Sequence, residues 1–275
     1  MDLTLAGLLV VLLPGSVAAW LAGPWLWERW HRARLTGRPF PSAWRAVLRR
    51  RMPLYRRLPV PLQRQLQRHV QWLLGRVPFI GCQGQVVTDE VRVLIAAQAA
   101  LLLLGRPAGH FRNLRQVLVY PGPFVVDRPL SDGAIVQDAR RVLMGESWQQ
   151  GQLLLSWPDV LAGAADADDG HNVVIHEFAH QLDQETGTAN GAPVLGARGR
   201  YGRWSATFRA AVDGLQAALA RGEPTLIDPY GATDPGAFFA VVSELFFERG
   251  AALAAELPEL YAELASYYGC DPSGW

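Results

Sequence analysis

The sequence contains no lysine: all 26 of its basic residues are arginine. A nucleotide bias of the source genome accounts for this at every position at once, so the absence carries no functional weight. Cysteine is scarce as well, since Cys82 and Cys270 are the only two in 275 residues. Two distant cysteines exclude a disulfide framework and a cysteine-based metal site, and they indicate a reducing compartment.

Charge is missing altogether from Leu3–Trp27, "LTLAGLLVVLLPGSVAAWLAGPWLW". As a helix this segment would be about 37 Å long, which is enough to cross a hydrocarbon core of about 30 Å. We therefore predict a transmembrane anchor over residues 1–28. A cleaved signal peptide and a buried soluble helix are the alternatives, but a signal peptide begins with positive charge, and this chain begins Met-Asp.

Acidic residues are scarce in residues 1–69. This part of the chain contains twelve arginines but only two acidic residues, Asp2 and Glu28. Residues 29–54 form a basic juxtamembrane linker in this prediction, and the positive-inside rule leaves them and the following chain in the cytoplasm. The predicted location is therefore the cell inner membrane, crossed once, with the membrane as a partner. Anionic lipid accounts for the arginines, so we predict no direct contact with nucleic acid.

Residues 55–275 are predicted to form one α+β domain around a small mixed sheet. Helical periodicity marks "LPVPLQRQLQRHVQWLLGRV" and "TDEVRVLIAAQAALLLLG", and the second of these is apolar nearly all round, which favours the domain core. Strands are predicted for "GQLLLSW" and for "QVLVYPGPFVVD", where Pro121 and Pro123 turn the chain back on itself. The helices "FFAVVSELFFERG" and "LPELYAELASYYG" would close the core.

The stretch "HNVVIHEFAHQLD", residues 171–183, is the strongest chemical signal in the chain. His176 and His180 lie one helical turn apart, so both imidazoles project from one face and can bind one zinc ion. Glu177 follows the first histidine and is placed to accept a proton from water at that ion. The alternative is that both histidines are hydrogen-bonded residues of a core.

Several blocks carry a family resemblance: "TDEVRVLIAAQAALLLLG", "VYPGPFVVD", "GESWQQG", "LLSWPD", "HNVVIHEFAHQLD" and "IDPYGATDPGAFFAVVSELFFERG". Over about residues 55–271 the chain resembles the Mlc titration factor A family of zinc-dependent peptidases, whose catalytic domain is similar to that of anthrax lethal factor. The resemblance implies a gluzincin-like domain with Zn²⁺ on His176 and His180, Glu177 as general base, and a glutamate of a following helix as third ligand. It also implies a tyrosine that stabilises the tetrahedral intermediate, and Tyr230 matches it.

The third ligand of the family stands seven residues after that tyrosine, and here the position is Ala237. The family's "DPAEFFAV" reads "DPGAFFAV", so the glutamate is missing from an otherwise intact segment. Glu244 is displaced from this position by about 10 Å along the helix. Asp234 is better explained as the helix N-cap, and Asp183 as a residue that orients a ligand.

The resemblance implies a metallopeptidase, specifically an aminopeptidase that acts on short peptides or accessible chain ends, with activity reduced by Ala237. The main alternative is a catalytically weak binding module that sequesters a transcriptional repressor such as Mlc. A membrane-associated structural protein whose histidines are core residues is a third hypothesis.

Overall fold

The computed structural model describes residues 33–106, 111–132, 135–143, 145–148 and 151–275. The chain divides into two compact units, Met1–Phe40 and Pro41–Trp275. The helices of the second unit are α1 (Ser42–Arg51), α2 (Pro53–Arg57), α3 (Val60–Arg76), α4 (Asp89–Leu101), α5 (Trp157–Ala165), α6 (Val173–Asp183), α7 (Arg200–Ala220), α8 (Pro235–Glu248), α9 (Gly250–Glu256) and α10 (Pro258–Tyr268). Its strands are β1 (Phe79–Gly81), β2 (Gln116–Tyr120), β3 (Phe124–Asp132), β4 (Ile135–Leu143), β5 (Gly145–Trp148) and β6 (Gln152–Ser156).

The main sheet is mixed, as the sequence predicts, with strand order β1-β2-β6-β5. Strands β1, β2 and β6 run parallel, and β5 runs antiparallel to β6 along the edge. Strand β6 is buried from Leu153 to Ser156 without alternation, because helices cover a parallel strand on both faces. Helix α6, which carries the histidine motif, packs against β5 and β6.

The predicted reversal at Pro121 and Pro123 is wrong in one respect. Strand β2 does end before Pro121, but β3 pairs with β4 in a separate antiparallel hairpin and not with β2. The reason is that β2 lies inside the main sheet, where β1 and β6 already occupy both of its edges. No edge of β2 is left for the returning chain.

Helix α4 is the centre of the helical core. Thr88 caps it by accepting a hydrogen bond from the Val91 N–H (3.4 Å), and every residue from Val93 to Leu101 is buried. Helices α1, α3, α5 and α6 pack around it. The prediction that this apolar helix lies in the domain core is confirmed.

The predicted transmembrane helix over residues 1–28 lies outside the described residues. Within the part of the chain that the structure describes, no helix is long and apolar enough to cross a membrane. The longest, α7, has 21 residues but is amphipathic, with exposed arginines such as Arg203 and Arg209. The predicted transmembrane helix, and with it the single-pass location in the inner membrane, therefore has no support from the described helices, and neither is retained.

The segment predicted as a basic linker also has a structural role. Helix α1 lies in it and packs on α4. Trp44 Nε1 donates a hydrogen bond to Asp89 (2.9 Å), and the Arg51 guanidinium pairs with Glu90 (2.7 Å). These contacts hold α1 against the acidic first turn of α4, so tertiary structure accounts for part of this basic segment.

Candidate metal centre

Helix α6 presents the motif because its other residues are anchored. Its N-cap is Asn172, whose side-chain oxygen accepts a hydrogen bond from the Ile175 N–H (3.0 Å). Val174, Ile175, Phe178 and Leu182 are fully buried or nearly so. This apolar face fixes the rotation of the helix, and the polar face follows from it.

The two motif histidines lie side by side on α6. The ring centroids of His176 and His180 are 4.9 Å apart, with an interplanar angle of 76°. Burial, with a contribution from His176, lowers the pKa of His180 to about 3. His180 is thus neutral at physiological pH, which is the protonation state of imidazole that binds metals.

Glu244 of α8 determines the orientation of the first histidine. One of its carboxylate oxygens lies 2.7 Å from His176 Nδ1, and the other accepts a hydrogen bond from the buried Asn172 N–H (2.5 Å). Burial lowers the pKa of His176, but the hydrogen bond and charge of Glu244, together with the charges of Glu177 and Asp228, outweigh burial, and the net shift is upward. With Nδ1–H donating to Glu244, the ring keeps Nε2 as its free lone pair, an arrangement common among metal-ligating histidines.

Glu177 and Tyr230 complete the group of predicted site residues. The Glu177 side chain is buried, with 6% exposure. Tyr230 belongs to a 3₁₀ turn, Pro229–Ala232, in which Asp228 accepts a hydrogen bond from its N–H (2.7 Å). The tyrosine ring is half exposed and its centroid is 5.8 Å from that of His176. The fold thus brings Tyr230 close to His176, from which it is 54 residues away in the chain.

Residues 27–269 match the family described as glucose-regulated metallo-peptidase M90. The chain belongs to this family. A protein called Mlc titration factor A from Cronobacter sakazakii is 34% identical over 90% of this chain and 92% of its own, and one from Yersinia enterocolitica is 32% identical over 90% and 91%. An uncharacterised protein of Synechocystis is 42% identical over 94% of both chains. The family resemblance inferred from the motifs is confirmed, and an M90 metallo-peptidase implies a metal cofactor.

Two side chains of this M90 chain, His176 and His180, are suited to bind such a metal. Two imidazoles share one helix face, and one is oriented by a carboxylate, which is common among metal-ligating histidines. Ala237, in the first turn of α8, is buried and offers no donor atom. Among the described residues, no three His, Cys, Asp or Glu side chains form a group suited to a metal ion.

Asp234 is the N-cap of α8. Its carboxylate accepts a hydrogen bond from the Ala237 N–H (2.9 Å), and Pro235 occupies the first helical position. The charge of Asp234 raises the pKa of His180, opposing the effect of burial. The Asp234 carboxylate is therefore used for capping, and its charge also acts on the second histidine.

We expect Asp234→Ala to lower the free energy of unfolding by about 1 kcal/mol, because the cap is lost, and Asp234→Asn to leave it nearly unchanged. Urea unfolding measures both. Zinc affinity should fall by less than tenfold in Asp234→Asn, which retains the cap. A larger loss in that variant would identify Asp234 as a ligand.

Asp183 has a different role from the predicted orientation of a ligand. Its carboxylate accepts a hydrogen bond from the Gly191 N–H (2.7 Å) and so fixes the loop after α6. Burial raises its pKa to about 6, although the amide of Gly191 and its neighbours lower it. The side chain lies near the end of α6, where the loop backbone needs an acceptor.

Sequence reasoning missed Asn172 and Glu248 as supports of the site. The Asn172 side-chain amide donates to the Gly163 carbonyl (3.0 Å) and to Glu248 of α8 (2.9 Å). Asn172 therefore joins α5, α6 and α8. The spacing of Glu244 and Glu248, one turn apart on a helix that is otherwise apolar, was the available signal.

The buried Glu248 carboxyl is expected to make the protein less stable as the pH rises. Burial is the main cause that raises its pKa from 4.5 to about 9. Between these values the folded state keeps a proton that the unfolded state has released, so the free energy of unfolding falls as the pH increases. Glu248→Gln should remove this dependence and be more stable than the wild type at about pH 8, by on the order of a few kcal/mol.

Urea unfolding at about pH 6 and about pH 8 measures this difference. Glu259→Gln is the control, because it makes the same change at an exposed position of α10. If the Glu248 and Glu259 variants show the same pH dependence as the wild type, Glu248 is not protonated in the folded protein.

Proposed function

We propose that this chain is a zinc peptidase in which His176 and His180 hold the ion and Glu177 is the general base. The observation that carries the proposal is the contact between Glu244 and His176 Nδ1 at 2.7 Å, beside a neutral His180. A carboxylate bonded to Nδ1 leaves Nε2 as the free lone pair of the ring, which is the arrangement common among metal-ligating histidines. Zinc at this position would polarise a peptide carbonyl and make bound water acidic.

The residues of the chain have distinct roles in this proposal. Glu177 accepts a proton from the attacking water and delivers it to the departing amine. The Tyr230 hydroxyl, on an exposed ring beside His176, stabilises the negative charge that develops on the carbonyl oxygen. Glu244 keeps the His176 ring in one orientation and one tautomer.

The third ligand position sets the level of activity. Because Ala237 has no donor atom, we propose that zinc binds weakly and that hydrolysis is slow. The proposed substrates are short peptides or accessible chain ends, cleaved from the amino end. This aminopeptidase assignment rests on the family resemblance.

A second candidate function is favoured by Ala237 and by the names of two relatives. A peptidase fold that has lost a ligand can keep its binding surface, and the relatives are called Mlc titration factor A. In this alternative the chain sequesters a transcriptional repressor and hydrolysis is absent.

Hydrolysis of an alanine p-nitroanilide by the full chain, with and without added zinc, tests the proposal. We expect slow turnover that requires zinc and is lost in Glu177→Gln. The binding alternative predicts no turnover under either condition and capture of the repressor by metal-free protein. Zinc-independent turnover, or turnover retained in Glu177→Gln, would contradict the assigned mechanism.

A further inference from the structure

An apolar cavity of about 250 Å³ lies between α7, the start of α8 and the loop that follows α6. Trp204 and Phe238 form its buried interior, and the exposed Ser205 lies at its mouth. The remaining wall includes Phe208 and Val212 of α7. The lining is largely hydrocarbon, so the cavity suits an apolar group better than water.

The aromatic side chains in the walls of the cavity pack against one another. The Trp204 and Phe208 rings stack with centroids 4.1 Å apart, and the Phe208 and Phe238 rings meet edge to face at 5.6 Å. Trp204 Nε1 also donates a hydrogen bond to the Gly191 carbonyl (2.8 Å). These contacts hold the side chains against one another and leave the space beside them available to a ligand.

Two segments that line the cavity also support the surroundings of the candidate metal centre. Pro235 lines it, only two residues before Ala237 and next to Asp234, whose charge acts on His180. The opposite wall, at Gly191, is tied to α6 by the Asp183 carboxylate at 2.7 Å. A group bound in the cavity therefore lies next to the first turn of α8 and the end of the motif helix.

We propose that this cavity receives a large apolar side chain of a peptide bound at the metal centre, an inference that rests on the proposed function. An apolar cavity of about 150 Å³ is known to hold a benzene ring, so the space here accommodates a phenylalanine or leucine side chain. An alanine side chain would leave most of it empty. The proposed substrate class is thus peptides with a bulky apolar residue near the cleaved bond.

The test uses the full chain and the probe N-acetyl-4-fluorophenylalaninamide, whose binding broadens its fluorine NMR signal. We expect Ser205→Phe, which places a ring at the mouth, to weaken probe binding by at least about tenfold. Val212→Phe, which fills the cavity from the wall, should do the same. Ala210→Phe is the matched control, because it adds the same ring at an exposed position of α7 outside the cavity.

Competition identifies the chemistry of the occupant. N-acetyl-leucinamide should displace the probe, and N-acetyl-alaninamide should need at least about tenfold higher concentration. Equal competition by both amides, or equal probe binding by the wild type, Ser205→Phe and Val212→Phe, would overturn the proposal. Because Ser205 is exposed, its variant is expected to fold even if Val212→Phe does not.

Hydrolysis separates this proposal from the proposed function. A phenylalanyl peptide should be cleaved with higher kcat/KM than the alanyl peptide, and Ser205→Phe should abolish the preference. Zinc-dependent cleavage without preference would sink the cavity proposal alone. Probe binding with no cleavage of either peptide would sink the proposed function and leave the cavity as a binding site for apolar side chains.

Discussion

Ala237→Glu is expected to raise zinc affinity and peptide hydrolysis by at least about 10 to 100-fold. Smaller changes around a metal site cause losses of this size. The glutamate would supply the third protein ligand that hydrolytic zinc sites use, leaving one position for water. Position 237 lies in the first turn of α8, and the adjacent Asp234 is close enough to influence the pKa of His180. Helix α8 also packs against α6, so a side chain introduced at 237 lies in the helix next to the motif helix.

The metal-free form of this variant should be less stable than the wild type. Ala237 is 1% exposed, so the new carboxylate would be buried without a partner until zinc binds. Added zinc should therefore raise the Tm of Ala237→Glu more than that of the wild type. Calorimetry with and without zinc measures this difference without relying on turnover.

The gain in hydrolysis must depend on the other site residues. In the Ala237→Glu background, Glu177→Gln should keep zinc and lose turnover, because the water loses its base. Tyr230→Phe should keep zinc and retain intermediate activity. If Ala237→Glu changes neither zinc content nor hydrolysis, and circular dichroism shows an intact fold, residue 237 is not the ligand position and the binding function becomes the better account.

Glu244→Gln is expected to weaken zinc binding by about 10 to 100-fold, although Glu244 is not itself a proposed ligand. The glutamine amide lacks the negative charge of the Glu244 carboxylate. That carboxylate lies 2.7 Å from His176 Nδ1 and favours the tautomer with the proton on Nδ1. Nitrogen NMR of His176 should show a mixture of tautomers in the variant and one tautomer in the wild type. A residue with only a structural role would not change this spectrum.

Glu244→Ala should in addition destabilise the fold by about 1 to 3 kcal/mol, because the buried Asn172 N–H loses its acceptor. Glu259→Gln, at an exposed position of α10, is the control for the loss of one negative charge. Unchanged zinc affinity and an unchanged His176 spectrum in Glu244→Gln would refute the orienting role.

Local features of both site helices were predictable from the sequence. Helical spacing places His176 and His180 on one face, and "TDPG" predicts the Asp234 cap that the structure contains. The contact between Glu244 and His176 was not predictable, because it joins two helices 68 residues apart in the chain. Periodicity reports which face of a helix is buried, but it does not report which residue of another helix that face meets.

Asp183 shows the same limit at shorter range. Its spacing from His180 indicates a shared helix face, and this suggested that it orients a ligand. The structure uses the carboxylate to hold the Gly191 N–H of the following loop. Hydrogen bonds of irregular loops depend on backbone positions that a sequence pattern does not specify. The separate β3–β4 hairpin was missed because strand pairing depends in the same way on positions that the pattern does not specify.

Zinc content of the purified full chain, measured by elemental analysis after dialysis against a mild chelator, is the most direct test of the two-histidine centre. We predict that the wild type binds zinc when zinc is supplied, that it loses zinc in this dialysis, and that His176→Ala binds none. One zinc per chain that survives the dialysis would contradict the account, because a further group would then have to complete the coordination.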